Sequence, residues 1–298
     1  ILTTANKMGY SPRKYIKQAN NESKLIGLVY TDNFTRDSLI GNPFYNHVIK
    51  GVESGLKERK SYLSFKTYPS IVESDAEITR VVEDILDTPN IEGIILTGRQ
   101  ETEEVISRIK KSDLPMVLLA YDLKDENVNC IVNDNLKGAR QMVNHLIKLG
   151  HRRIGFIGGP IIQNFIHERF IGYKQALYDA GIEKDNNIIR FSDTLHINEG
   201  YEAAKKILNT NNNKPTAIFA ISDTMASGAI NAIKELGYRI PEDISVAGFN
   251  DDDLAQQAFP KLTTVRVYKE KMGEYAVDRL FDIIDGKLIN PIKVVLPV

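Results

Sequence analysis

The sequence predicts an α/β fold built on parallel sheets. From position 25 onwards, short apolar runs alternate with longer amphipathic segments in the order strand, helix, strand, helix. Most of the short runs are apolar throughout, which is typical of strands that helices cover on both faces. A chain of 298 residues, 42% of them hydrophobic, can bury a large core and is long enough for two domains.

Seven runs are predicted strands because each is short and almost entirely apolar. They cover residues 25–30, 92–97, 115–120, 128–133, 153–158, 217–222 and 244–249.

The helices between these strands have readable ends. Asn42 before Pro43 combines a capping residue with a proline at the first helical position, and Val48, Val52 and Leu56 then recur at helical spacing. A second clear end is Gly150, which stops the helix that precedes it. The other predicted helices cover residues 74–86, 100–111, 135–149, 166–181, 197–209, 223–236 and 268–285.

Charge is unevenly distributed along the chain. Residues 1–24 contain five lysine or arginine side chains and one glutamate, whereas the whole chain has a net charge of -1. A basic front on a mildly acidic body suits an arm that faces a polyanion, although a solvated tail would have the same composition. No apolar run approaches the ~20 residues that span a bilayer, and the first residues lack the layout of a secretory signal. We therefore expect a cytoplasmic protein with no membrane partner.

The motifs of common enzyme and nucleotide sites are absent from the sequence. It contains no G-x-G-x-x-G after a strand, no phosphate-binding G-x-x-x-x-G-K-[ST], no H-E-x-x-H and no G-x-S-x-G. The five histidines are scattered, and the single Cys130 lies in an apolar run typical of a buried thiol. Asp251, Asp252 and Asp253 follow a predicted strand and could bind a cation, but an acidic turn that caps the next helix is the simpler interpretation. We expect no catalytic centre, no cofactor and no metal.

Four stretches spread over the chain carry a resemblance to a known family. They are NPFYNHVIKGVE at 42–53, LIKLGHRRIGFIGGP with HERFIGYKQAL within 146–177, PTAIFAISDTMASGAINAIKELGYRIPEDISVAGFND at 215–251, and FPKLTTVRVYKEKMGEYAVDRL at 259–280. Together these stretches resemble the effector domain of bacterial transcriptional repressors of the lac repressor / galactose repressor family.

The resemblance implies both a fold and a function. The fold is that of type I periplasmic binding proteins: two doubly wound parallel-sheet lobes joined by three crossings, with a ligand cleft between them. The first lobe would comprise 24–133 plus 266–297 and the second 134–265. The implied function is that of a repressor in which a small effector, a saccharide or a phosphosugar, binds in the cleft and alters the affinity for operator DNA.

Two polar residues are the first candidates for effector contact. Arg169 lies at the family position whose guanidinium holds sugar hydroxyls or a carboxylate through a planar fork of donors; the alternative is a surface arginine paired with Glu168. We expect its replacement by alanine to weaken effector binding and to leave stability almost unchanged. Asn250 lies where many relatives have aspartate, so a neutral amide would act there, unless it only forms a turn. Ala120 lies where many relatives have a polar residue.

Other candidates come from strand ends and helix starts. Ser222 and Asp223 close a strand and open a helix, so one of them should cap that helix; Ser222 is also expected to touch the ligand and Asp223 to be mainly structural. Of Phe44 and Tyr45, one is expected in the core and the other in the cleft, where an aromatic face suits a sugar ring. From the second lobe the resemblance adds Gln163, Phe165 and Leu195.

The front of the chain, ILTTANKMGYSPRKYIKQ, resembles the last helix of that family's helix-turn-helix headpiece followed by the hinge that enters the minor groove. The hinge residues expected to contact DNA are Arg13, Lys14, Ile16 and Lys17. Family hinges usually place a leucine wedge where the simplest alignment puts Ala19. Alanine is too small to unstack a base step, so either Ile16 serves instead or the hinge docks differently.

Two further expectations concern partners. Family repressors read two-fold symmetric operators, which predicts a homodimer formed side by side along both lobes, with contacts from 74–86, 223–236 and 251–258. The alternative function is a sugar-binding protein of a transport system, which shares the fold. The front of the chain distinguishes the two, because a transport protein would have a secretion leader there.

Overall fold

In the computed structural model, the described residues are 23–31, 42–68, 74–98, 103–121, 128–161, 163–209, 213–287 and 290–298. The predicted hinge residues Arg13, Lys14, Ile16 and Lys17, together with Ala19, lie outside these ranges.

The first lobe is built on a six-stranded parallel sheet. Its strands in chain order are β1 (Leu25–Thr31), β2 (Tyr62–Tyr68), β3 (Ile91–Gly98), β4 (Met116–Leu119), β5 (Asn129–Asn133) and, from the end of the chain, β11 (Lys293–Leu296). Their spatial order is β11-β5-β4-β3-β1-β2. The helices of this lobe are α1 (Pro43–Glu58), α2 (Asp75–Leu86), α3 (Glu103–Lys110) and α9 (Lys269–Ile284).

The second lobe repeats this plan with five parallel strands. These are β6 (Ile154–Gly158), β7 (Ile189–Phe191), β8 (Ala217–Ala220), β9 (Ser245–Asn250) and β10 (Thr263–Arg266), in the spatial order β10-β9-β8-β6-β7. The helices are α4 (Asn135–Lys148), α5 (Asn164–Asp179), α6 (Ile197–Asn209), α7 (Asp223–Glu235) and α8 (Asp253–Gln257), with a 3-10 turn at Asn186–Ile188.

The predicted fold class is confirmed, and all seven predicted strands are present. The sequence pattern did not predict β2, β7, β10 and β11. Each of these four lies at an edge of its sheet, where one side of the strand is open to solvent. Their residues are mostly exposed or half-buried, whereas the four-residue interior strands β4 and β8 are buried throughout, so the edge strands lack the continuous apolar signal of an interior strand.

The described chain passes between the lobes after β5 and again after β10. After β11 the chain turns towards the second lobe once more, because Val298 packs against Gly138 in α4. We keep 24–133 plus 266–297 and 134–265 as the proposed lobe boundaries.

Close packing through glycine holds α9 to the first lobe. A Cβ placed on Gly51 of α1 would lie 1.9 Å from the carbonyl oxygen of Glu270, and one on Gly273 would lie 2.3 Å from the carbonyl oxygen of Val48. Both distances are far below van der Waals contact, so only glycine allows the two backbones to approach this closely. The helix that follows the second crossing is therefore fixed to α1 within its first two turns.

Among the described helices, none has the length and apolar character needed to cross a membrane.

Candidate functional site

A cavity of about 770 Å³ lies between the two lobes. In both sheets the second strand lies on one side of the first strand and the later ones lie on the other side. The switch point between the two sides lies between β1 and β3 in the first lobe and between β6 and β8 in the second. Loops at the carboxyl ends of the strands diverge at such points and leave a crevice for ligands.

The first lobe lines the cavity with Tyr30, Asn42, Pro43, Phe44, Tyr45, Gly98, Ala120, Val132 and Asn133. The second lobe lines it with Asn135, Gln163, Phe165, Arg169, Leu195, His196, Ile197, Asn198, Ser222, Thr224, Asn250, Asp252 and Leu254.

Arg169 lies at the base of this cavity and is only 3% exposed, so it is not a surface arginine. Its Nε donates to Asn135 Oδ1 at 3.0 Å, its Nη1 to the carbonyl of Ile221 at 2.6 Å, and its Nη2 to Asn250 Oδ1 at 3.3 Å. The guanidinium also lies 3.6 Å from the ring centre of Phe249. These contacts fix the plane of the guanidinium and use three of its five N–H donors.

Burial lowers the pKa of Arg169 to about 9, and the nearby carboxylates of Asp223, Asp252 and Glu168 act in the opposite direction. The side chain therefore stays charged at neutral pH. Glu168 does not pair with Arg169 through a hydrogen bond but accepts one from Asn135 Nδ2 at 3.0 Å.

Asn250 closes β9 and both lines the cavity and forms a turn. Its φ is 113°, and that of Asp251 is 56°, so two successive residues adopt backbone conformations that are uncommon for side chains other than glycine. The buried Lys269 holds this turn because its Nζ donates to the carbonyls of Asn250 at 2.6 Å and Asp251 at 2.9 Å.

The three consecutive aspartates have different environments. Asp251 lies to the outside and accepts from Arg266 at 2.7 Å and from Gln256 at 2.8 Å. Asp252 is buried and lines the cavity, and it makes no side-chain cap on α8. The interpretation of this segment as a solvated capping turn is therefore wrong for Asp252. No group of three or more metal-ligating side chains among the described residues could hold a metal ion.

Ser222 caps a helix and lines the cavity, whereas Asp223 supports the cavity from behind. Ser222 Oγ accepts from the backbone N–H of Met225 at 3.3 Å, which caps α7, and the same residue lines the cavity. Asp223 is fully buried behind the lining. Its carboxylate accepts from Thr264 Oγ1 at 2.6 Å and from the backbone N–H of Asp252 at 2.7 Å. The structure places Asp223 among the residues that support the cavity and not among those that face it.

The aromatic candidates form one wall of the cavity. Phe44 and Tyr45 both line it, with their rings edge to face at 5.1 Å, and Tyr45 packs in the same way on Tyr30 at 4.9 Å. Tyr45 also donates to the carbonyl of Gly98 at 3.1 Å. Phe44 additionally packs against the core, but both rings line the cavity, so the predicted division of one ring in the core and the other in the cleft is wrong. Across the cavity, the Phe165 ring centre lies 5.1 Å from the guanidinium of Arg169.

The structure brings Arg169, Asn250, Ser222, Phe44, Tyr45, Phe165, Gln163 and Leu195 together in one lining. Sequence reasoning missed several polar members of it. Asn133 is the last residue of β5 and Asn135 follows two residues later. A signal was available there, because asparagine at the carboxyl end of an apolar strand lies at the edge where ligands bind. Asn133 is buried, and its Oδ1 has no hydrogen-bond partner among the described residues.

Comparison with known proteins agrees with this architecture. Residues 143–298 match the family model of the periplasmic binding protein-like domain. The transcriptional repressor CytR of Escherichia coli is 31% identical over 97% of this chain and 82% of its own length. The transcriptional regulator RegA of Clostridium saccharobutylicum is 28% identical over 99% of this chain and 86% of its own. Among solved structures, the CelR–cellobiose complex superposes with a TM-score of 0.83 at 29% identity, covering 99% of this chain and 86% of that one.

Two sheets of this order with a polar and aromatic cleft between them define a two-lobed, periplasmic-binding-protein-like ligand receptor. With the relatives above, the identification becomes narrower: the chain belongs to the lac repressor / galactose repressor (LacI) family of transcriptional regulators.

The structure changes what is expected of Arg169→Ala. Its removal would leave the carbonyl of Ile221 and Asn135 Oδ1 without a donor and would take a buried cation away from Asp252 and Asp223. We expect the free energy of unfolding to fall by about 2–4 kcal/mol. This replaces the sequence-based expectation of an unchanged stability. Urea denaturation followed by circular dichroism measures the loss. The control is Arg140→Ala, which removes an exposed pair with Asp179 and should cost about 1 kcal/mol or less. Equal unfolding curves for the two variants would contradict the prediction.

Asp223 should make stability depend on pH. Burial raises its pKa from the ordinary 3.8 to about 7, although Thr264, the backbone of Asp252 and Lys269 act in the opposite direction. A carboxyl whose pKa is raised in the folded state contributes its stability in full below about pH 4, loses it between about pH 4 and pH 7, and contributes none above that range. We therefore expect the melting temperature of Asp223→Asn to rise relative to that of the unmodified protein between about pH 4 and pH 7, and the difference to stay constant above about pH 7. Differential scanning fluorimetry across this range measures the gain, with Asp179→Asn as the control. A difference that is constant with pH would contradict it.

Proposed function

We propose that this chain is the effector-binding and dimerisation core of a sugar-responsive transcriptional repressor. The observation that carries the proposal is the inter-lobe cavity, in which one wall is aromatic and the base holds a fixed arginine with several amide groups. Membership of a family of transcriptional regulators supports it, as does the likeness to a regulator solved in complex with cellobiose.

The chemistry of the cavity suits a saccharide. Aromatic faces such as those of Phe44 and Phe165 pack against the apolar face of a sugar ring, and a cavity of this volume lies in the range of small-molecule sites. Arg169 has N–H donors beyond its three hydrogen bonds within the protein, and the amides of Gln163 and Asn133 carry both donors and acceptors. A saccharide fits this mixture of apolar walls and converging hydrogen-bonding groups.

Regulation would follow from differential binding to two lobe arrangements. An effector that touches both lobes stabilises the arrangement in which its contacts are complete, and the coupling energy alters operator affinity. A contact between the lobes exists in the present arrangement: His47 of α1 lies 3.4 Å from Asp253 of the second lobe, and its other ring nitrogen lies 3.2 Å from Glu270 of α9 in its own lobe. We propose that residues 1–23 belong to the headpiece and hinge, with Arg13, Lys14 and Lys17 meeting DNA phosphates.

The runner-up function, a sugar-binding protein of a transport system, is not favoured. The relatives with which this chain shares nearly its whole length are regulators and repressors. We also infer that the cavity binds its ligand without catalysis, since the relatives act as transcriptional regulators and the mechanism requires no covalent step.

A saccharide panel tests the proposed function. The panel contains D-glucose, D-galactose, D-ribose, cellobiose, maltose, sucrose and glucose 6-phosphate. A ligand present at about 100 times its Kd stabilises the folded state by about 2.7 kcal/mol, so binding should appear as a higher melting temperature. We expect at least one saccharide to stabilise the protein and to be recovered unchanged by NMR after incubation. Chemical conversion of the sugar would indicate an enzyme, and no thermal shift with any member would contradict a sugar-responsive regulator.

We propose that the protein forms a homodimer with α2, α7 and residues 251–258 in the interface. Phe259, next to this region, is 85% exposed, so its ring is available to pack against a second protomer. Light scattering at micromolar concentration should give twice the chain mass of 33.5 kDa. Phe259→Ser should weaken the dimer, whereas Tyr178→Ser, at an 84% exposed position on α5, should not. A monomer mass for the unmodified protein would contradict the proposal.

A further inference from the structure

His47 lies on α1 at the edge of the cavity. It follows Phe44 by three residues, which places it one helical turn beyond a side chain of the cavity wall. From the second lobe, Asp253 lies between Asp252 and Leu254 in the sequence, and both of these neighbours line the cavity. The contact between His47 and Asp253 therefore joins the two lobes beside the effector site.

Each ring nitrogen of His47 faces a different carboxylate. Nε2 lies 3.4 Å from Oδ1 of Asp253 in α8, and Nδ1 lies 3.2 Å from Oε1 of Glu270 in α9. Asp253 belongs to the second lobe and Glu270 to the first, so the imidazole lies between charges from both lobes. On α1 itself, the positions one turn away from His47 hold one charged residue, the exposed Lys50.

A neutral imidazole cannot donate to both carboxylates at once. It carries one N–H group and one lone pair, so one of the two carboxylates would face the lone pair. An imidazolium has two N–H groups and a positive charge, so it donates to both oxygens together. Histidine side chains change charge between about pH 5 and pH 8. The bridge from Glu270 through His47 to Asp253 is therefore complete only after the ring has bound a proton.

We propose that His47 is a proton-dependent bridge between the lobes: a proton on its ring links Glu270 to Asp253 and stabilises the lobe arrangement that holds the effector. Because the proton and the effector favour the same arrangement, each strengthens the binding of the other. This inference rests on the proposed function, since it concerns an effector that contacts both lobes. Its consequence is a regulator whose affinity for the effector rises as pH falls.

The exposure of the two carboxylates sets the size of the effect. The side chain of Asp253 is 68% exposed and that of Glu270 is 57% exposed, whereas the ring of His47 is 23% exposed. Water and salt screen charges at such positions, so the contact is weaker than a buried ion pair. We expect a change of about 3-fold in effector affinity, and a smaller change at high salt concentration.

Calorimetric titration at about pH 6 and about pH 8 tests the proposal, with the tightest-binding saccharide of the panel as the probe. The measured quantity is the ratio of the Kd at the higher pH to the Kd at the lower pH. This ratio should be about 3-fold larger for the unmodified protein than for His47→Gln, because glutamine takes up no proton in this range. Comparing the two proteins removes the contribution of other groups that titrate nearby, such as Asp223.

Three further variants separate the bridge from a general effect of substitution. Asp253→Asn removes the carboxylate of the second lobe and should lower the ratio as much as His47→Gln does. The double variant His47→Gln/Asp253→Asn should lower it no further, because both changes break the same contact. His145→Gln is the matched control: this exposed histidine lies about 15 Å along α4 from Asn135 of the cavity lining, and its replacement should leave the ratio unchanged. Melting curves without ligand verify that each variant is folded.

The possible outcomes distinguish this proposal from the proposed function. If His47→Gln has the same ratio as the unmodified protein, the bridge is wrong and the proposed function stands. The bridge is also wrong if Asp253→Asn keeps the full ratio, because the pH effect would then not depend on a contact between the lobes. If no saccharide of the panel binds the unmodified protein at either pH, the proposed function fails and this inference fails with it.

Discussion

The buried guanidinium of Arg169 is the interaction on which the geometry of the cleft depends. Through three hydrogen bonds it joins α4, the end of β8 and the end of β9, and Phe249 supports it from below. A charge at this depth is tolerated because its donors are paired and carboxylates lie nearby. Arg169 comes from α5, which follows β6, so its bond to the carbonyl of Ile221 after β8 crosses the switch point between β6 and β8. The arginine makes these elements one rigid base against which a ligand can be bound.

The sequence predicted the interior of both sheets well and their edges poorly. Runs such as 94–96 and 217–220 are apolar throughout because helices cover both of their faces, so composition alone reveals them. An edge strand such as β2 has an alternating pattern, and β7 contains only three residues. Whether either segment forms a strand depends on the neighbouring strand with which it pairs, and this pairing exists only in the folded chain.

The candidate site was also predicted only in part. Arg169 and Asn250 were found because they occur within motifs shared by a family, and the structure places both in one lining. Asp252 was interpreted as part of an acidic surface turn because three aspartates in a row usually are solvated. Its burial follows from the left-handed backbone at Asn250 and Asp251 and from Lys269, which comes from a helix across the second crossing. Tertiary contacts of this kind leave no local pattern in the sequence.

The first five residues of α9 contact both lobes. Lys269, its first residue, holds the carbonyls at the end of β9, whereas Gly273, four residues later, lies against the backbone of α1. Rotation of one lobe against the other must therefore bend this helical turn, rearrange the lysine side chain or break its two hydrogen bonds. Another lobe arrangement would exchange these contacts for others, and an effector can favour one arrangement only where the contacts of the two differ.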